Sequence, residues 1–215
     1  MKKATKKTGA STRRSFKKAG QRGARKVFVN LAEVQELEKT LAEAVLPHIQ
    51  EVSGEQQVLI TSRLNQAGKE FPAPIWYAWV ESPELRGMKG RKIKIDAIRS
   101  ALIGGTHNSP IYSRCLTHTD RSYIHEVDYS KQGREGAEKT PDAKKFDNRL
   151  KINHRRFIAI LANNRRVGTL TLGFLKAPAN DDAVNEQLRY FAQRDQSPLV
   201  QYLLKSGIKL GGPRI

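Results

Sequence analysis

HRRFIAILANNRRVGTLTLGF, residues 154–174, is the stretch that decides how this chain folds. Two apolar runs rich in β-branched residues, 157–161 and 167–174, flank the polar stretch Ala162, Asn163, Asn164, Arg165, Arg166, the pattern of an antiparallel hairpin. In the first run the odd positions (Phe157, Ala159, Leu161) and the even ones (Ile158, Ile160) are all apolar, whereas a strand with one wet face would alternate. The hairpin is therefore expected in the middle of a sheet. Its second strand carries two unlike rows. Leu170, Leu172 and Phe174 form an apolar one; Val167, Thr169, Thr171 and Gly173 form a smaller, partly polar one that faces the other way. Such a row suits a cavity wall better than a packed core and points to a ligand-sensing or interaction domain.

Working outward, Asn30 with Glu33 forms a capping pattern for a helix whose apolar positions Leu31, Val34, Leu37, Leu41 and Val45 recur at near-helical spacing up to Pro47. Ser53 with Gln56 repeats the capping pattern, which predicts a second helix carrying Val58, Leu59, Arg63 and Leu64 and ending by Gly68. Pro72 and Pro74 then forbid helix and introduce an aromatic-rich strand over 75–80, followed by a short alternating strand over 92–95. Ser109 and Pro110 can start a short helix through Cys115 and Leu116, and a strand is expected over 122–128. Residues 129–146, poor in apolar side chains, read as a long mobile loop of the kind that forms lids, binding loops or disordered insertions. After the hairpin, Val184, Leu188, Phe191, Leu199, Tyr202 and Leu203 form a helical stripe interrupted at Pro198 and stopped by Gly207.

The chain has 215 residues and is 38% hydrophobic, enough for one core with residues left over. The expected organisation is a basic tail over 1–29, a folded domain over 30–206 and a C-terminal tail over 207–215. No apolar run reaches the roughly 18 to 20 residues that cross a bilayer, and the lone Cys115 excludes an internal disulfide, so a cytoplasmic setting without membrane contact is expected. The net charge of +18 is uneven. Eleven of the 39 Lys and Arg fall in residues 1–26, while all 21 Asp and Glu lie beyond them. A segment of that composition cannot recover its ordering entropy by burial. It reads either as an arm for nucleic acid, with Lys2, Lys3, Lys6, Lys7, Arg13, Arg14, Lys17 and Lys18 on phosphates, or as a solubilising tail.

The order of elements, with particular residues, resembles the GAF domain. The family's early strand is similar to IWYAWVES, its short helix, turn and strand ending in an acid to IYSRCLTHTDRSYIHEVD, and its signature hairpin to RRFIAILANNRRVGTLTLGF. Arg156 stands at the motif arginine, Gly168 at the glycine before the last strand and Asp128 at the acid ending the middle strand. Phe157 and Ala162 depart from the small residue and the proline common in the motif. The resemblance spans about residues 31–204. It implies an α+β fold: a central antiparallel sheet, N- and C-terminal helices on one face, and on the other a pocket covered by the short helix and the long loop. It also implies binding of a small molecule, or service as a dimerising scaffold, with control passed to a partner.

The candidate ligand-binding residues are Trp79, Arg114, Cys115, Asp128, Arg149, Arg156, Thr169 and Thr171. Guanidinium forks suit anionic ligands. Trp76 and Trp79 differ in parity, so one belongs to the core and the other can stack on a ligand ring. The resemblance implies that Cys115, with His118 three residues on, could carry a linked tetrapyrrole, but Cys115 falls on the apolar side of its helix, where a buried inert thiol is the commoner case. His107, Cys115, His118 and His125 match no metal-ligand spacing, no serine has a nucleophile elbow, and no paired carboxylates form a pattern. Two readings stay open: a non-catalytic sensor for an anionic or aromatic molecule, acting as a homodimer or through a partner protein, with no cofactor identified, and a nucleic-acid-binding accessory protein whose folded part only dimerises.

Overall fold

The architecture grows from the hairpin. The computed structural model describes residues 31–65, 74–88, 110–129 and 151–215. The first half of the chain supplies α1 (Leu31–Thr40), a π turn (Leu41–Val45), α2 (Leu46–Ser53), β1 (Val58–Asn65), β2 (Pro74–Glu81) and the short α3 (Pro83–Arg86). Then come α4 (Pro110–Thr117), β3 (Ile124–Asp128), β4 (His154–Ala162), β5 (Arg165–Phe174), α5 (Asp181–Gln193) and α6 (Pro198–Lys205). The strand order is β2-β1-β5-β4-β3 with every pair antiparallel, so the hairpin occupies the interior of the sheet as expected. Its tip is Asn163 and Asn164, both at positive φ (51° and 59°), the turn geometry that matches strand twist and that Asn tolerates better than other side chains except Gly.

Two sequence expectations need correction. Residues 58–65, expected to be helical, form β1. Ser53 closes α2 instead of opening a helix, because Gly54 takes the left-handed conformation (φ 69°) and its N–H reaches back to the Gln50 carbonyl at 3.0 Å. The first helix also runs past Pro47. Proline lacks the N–H that an α-helix requires, and the π turn just before it absorbs the mismatch: the Leu46 N–H bonds the Leu41 carbonyl five residues back.

The helices α1, α2, α5 and α6 bury their apolar stripes on one face of the sheet. Leu37, Leu41, Ile49, Val184, Leu188 and Phe191 meet Val58, Ile60, Leu64, Ile158, Leu170, Leu172 and Phe174, all nearly inaccessible to water. The break at Pro198 has a defined construction. The Ser197 hydroxyl accepts from the Val200 N–H at 3.2 Å and donates to the Phe191 carbonyl at 2.8 Å, so one side chain ends α5's connection and starts α6. Past Gly207 (φ 68°), residues 208–215 return along the hairpin tip: Gly211 donates to the Asn65 carbonyl at 3.0 Å, Arg166 to that of Pro213 at 3.0 Å, and Ile215 to that of Asn164 at 3.1 Å. The strand expected over 92–95, the loop past Tyr129 and the basic tail lie outside the described residues. Among those described, no helix is long and apolar enough to cross a membrane.

Candidate functional site

Strand parity alone lines up the residues on the sheet face opposite the core helices. Thr61 on β1 stands across from Trp79 on β2 and from Thr171 on β5; Thr171 stands across from Phe157 on β4, and Phe157 from His125 on β3. One cross-sheet row therefore reads Trp79, Thr61, Thr171, Phe157, His125. The adjoining row holds Arg63, Thr169 and Ala159. Trp79 and Thr61 are 4% exposed, Thr171 7% and Thr169 2%, yet none of the three threonine hydroxyls bonds to another described residue. The Trp79 indole N–H donates to the Glu81 carboxylate at 3.0 Å, which fixes the ring on this face. The three hydroxyls, unpartnered on largely buried residues, lie beside two aromatic rings.

Helix α4 covers the neighbouring part of this face. Tyr112 and Leu116 pack on Ala159, while Ile111 and Cys115 pack with Val127, Tyr129 and Phe157. Two polar contacts hold it in place. The Tyr112 hydroxyl donates to Asn65 Oδ1 at 2.6 Å, burial pushing the phenol pKa well above its ordinary value, and Arg63 lies over the Tyr112 ring, 5.6 Å from its centroid. At the other end Arg166 Nη1 donates to the Leu116 carbonyl at 3.3 Å, placing a cation on the last turn of the helix. A bulge makes that contact. Ile160 pairs with Gly168 but Leu161 with Arg166, leaving Val167 as the extra residue, so Val167 joins the helix-side core and Arg166 turns toward α4. Gly168 sits so close to β1 that a Cβ there would collide with the Arg63 carbonyl oxygen.

The expected site residues divide between the two faces. Trp79, Thr169 and Thr171 share the α4 side. Cys115 is buried on the underside of α4; burial pushes its thiol up to about 12, and it donates weakly to the Phe157 carbonyl at 3.8 Å, so it is an inert core thiol at neutral pH. Arg114 lies on the exposed outer side of the same helix. Arg156 and Asp128, expected at the pocket, stand on the helix side of the sheet because they share parity with Ile158 and Ile124. Arg156 is 4% exposed and ion-paired with Glu126 at 3.1 Å and Asp181 on α5 at 2.9 Å; Asp128 pairs with His154 at 3.4 Å. They tie β3, β4 and α5 together. Arg149 and the lysines and arginines of the tail lie outside the described residues. Thr61, Arg63 and Phe157 were not among the expected ligand contacts. Their signal was the alternation Leu59, Thr61, Arg63 against Ile60, Ser62, Leu64, hidden by the helical expectation for that segment. Among the described residues no three His, Cys, Asp or Glu side chains group as metal ligands.

No protein-family model matches the chain, and no curated protein matches it in sequence. Among solved structures it is similar to the photoproduct state of GAF3 from Slr1393 of Synechocystis sp. PCC6803, at 14% identity and a TM-score of 0.45, over 80% of this chain and 96% of that one. The blue-light absorbing form of the PixJ GAF domain from Thermosynechococcus elongatus matches at 11% identity and a TM-score of 0.44, over 84% of this chain and 95% of that one. The reduced form of fRMsr from Staphylococcus aureus matches at 10% identity and a TM-score of 0.37, over 80% and 94% of the two chains. These likenesses are of fold only. The chain's own strand order and its helices on one sheet face make the α+β architecture GAF-like.

Proposed function

We propose that this protein is a non-catalytic sensor that binds an anionic or aromatic small molecule on the α4 side of the sheet and passes the signal to a second copy or a partner protein. The carrying observation is the buried trio Thr61, Thr169 and Thr171, whose hydroxyls have no partner among the described residues and lie in register with Trp79 and Phe157. Rings at both ends of the row suit a flat ligand, and Arg63 beside Thr169 suits an anionic group. The buried, high-pKa thiol favours binding over covalent chemistry.

A thermal-shift screen with nucleotides and aromatic metabolites tests this. A ligand at a hundred times its Kd stabilises the fold by about 2.7 kcal/mol. Thr171→Val should leave the unliganded Tm unchanged or higher, since the hydroxyl has no bond to lose, and should abolish the shift. Stabilisation that survives Thr171→Val and Thr61→Val, or that no compound produces, would overturn the assignment.

The eleven cations and absent acids of residues 1–26 favour a second role, binding nucleic acid. Affinity for duplex DNA or RNA should then fall steeply with salt and disappear when residues 1–26 are deleted. Unchanged binding by the shortened chain rules this role out.

A further inference from the structure

A separate recess lies on the helix side of the sheet, at the tip of the hairpin, away from the threonine row. The bulge that turns Val167 toward the core helices also builds its floor, where Val167 meets Leu203 from the end of α6. Gly207 (φ 68°) then swings the chain so that Ile208 and Leu210 form the facing wall. The groove has a volume of about 280 Å³. Its rim is cationic. Arg165 is held there by a bond from Nη1 to the Gly212 carbonyl at 3.1 Å, and Lys209 is exposed and has no ion-pair partner among the described residues. Among the described residues no carboxylate lines the groove.

We infer that this groove binds a compact amphipathic carboxylate, an aryl or branched alkyl group carrying one acid. The apolar body rests on Val167, Leu203, Ile208 and Leu210, and the carboxylate lies between Arg165 and Lys209. Size and charge decide the class together. An apolar cavity of about 150 Å³ holds a benzene ring, so this groove has room for a phenyl group and a short acidic chain but not for a nucleotide. A bare phosphate would leave the floor dry and unfilled, whereas a neutral apolar guest would leave both cations unused. The fixed guanidinium presents paired donors to a planar carboxylate at little entropic cost. With so few contacts the affinity falls near the millimolar range. The site is independent of the sensor function proposed above, since the two lie on opposite faces of the sheet.

The test is an amide NMR titration of the full chain with phenylbutyrate, run beside its neutral amide and beside sodium acetate. Phenylbutyrate should give saturable shifts confined to residues 162–167 and 203–210, the amide should bind more weakly by up to about fivefold, and acetate should have no effect, since a partly exposed ion pair contributes little beside the apolar floor. Lys209→Glu, a change at an exposed position, should weaken phenylbutyrate at least about tenfold and leave the remaining resonances in place. Lack of saturation by about 10 mM, shifts centred elsewhere, equal binding of acid and amide, or indifference to Lys209→Glu would each overturn the inference.

Discussion

Because Cys115 is the chain's only cysteine and lies beneath α4, its labelling rate reports how often that helix opens. The closed state protects it twice: the residue is 2% exposed, and burial pushes the thiol up to about 12, so almost no thiolate exists at pH 8. Tyr112→Phe removes the 2.6 Å bond to Asn65 Oδ1, in a side chain whose Nδ2 already lacks a partner. An amide left buried and wholly unbonded costs about 1 to 3 kcal/mol, and at tenfold per 1.4 kcal/mol α4 should open about 5 to 150 times more often. Labelling with a thiol reagent at pH 8, under conditions where the helix recloses faster than the reagent attacks, should accelerate by that factor. Adding Asn65→Leu to Tyr112→Phe removes the orphaned amide and should slow labelling again, so that the two changes are not additive. The pH profile identifies the route. Labelling through open states rises with pH to about 8.5, where the solvated thiol ionises, and then levels off, whereas direct attack on the closed state would keep rising toward about 12. Labelling of Tyr112→Phe at the wild-type rate would refute the account of how α4 is held.

Gly168→Ala drives a methyl group into the Arg63 carbonyl at the end of the β1–β5 pairing and should cost at least about 2 kcal/mol, read as a lower midpoint in urea; a midpoint within error of the wild type contradicts the close approach. The folded-state thiol pKa also sets a stability trend: raised above the unfolded value, it contributes stability that is complete below about pH 8.5 and is lost as pH climbs toward about 12. Cys115→Ala should therefore show a flatter decline in denaturation midpoint over that interval than the wild type, and parallel declines would refute the burial of the thiol.

The hairpin was legible because it satisfies two independent local rules, alternation of side chains and a two-asparagine turn, and tertiary context had nothing to override. Residues 58–65 failed for the opposite reason. Val58, Leu59 and Ile60 are consecutive apolar residues, as in a strand buried on both faces, and periodicity cannot separate that from a buried helix. Ser53 and Gln56 then imitated a capping box, although Gly54 between them was the better marker of a helix end. The site inherited that error. Thr169 and Thr171 could be placed by parity within their own strand, but Thr61 and Arg63 become their neighbours only once β1 pairs with β5. Arg156 was misplaced against a signal the sequence did carry, since it has the parity of Ile158 and Ile160, which belong to the helix-side core.

Polar groups are buried on both faces of the sheet. On the helix side Arg156 is ion-paired with two carboxylates, His154 faces Asp128 and Ser197 satisfies two backbone groups, while Ser62 Oγ and Asn185 Oδ1 are buried without a partner. On the α4 side the unpartnered hydroxyls are adjacent, with Thr61 directly opposite Thr171 and Thr169 on the same strand face as Thr171. Valine would fill each position with nearly the same shape and without an unbonded hydroxyl. Under the proposed sensor function, a ligand on this face would supply partners to these hydroxyls, with Trp79 and Phe157 in the same cross-sheet row and Arg63 paired with Thr169.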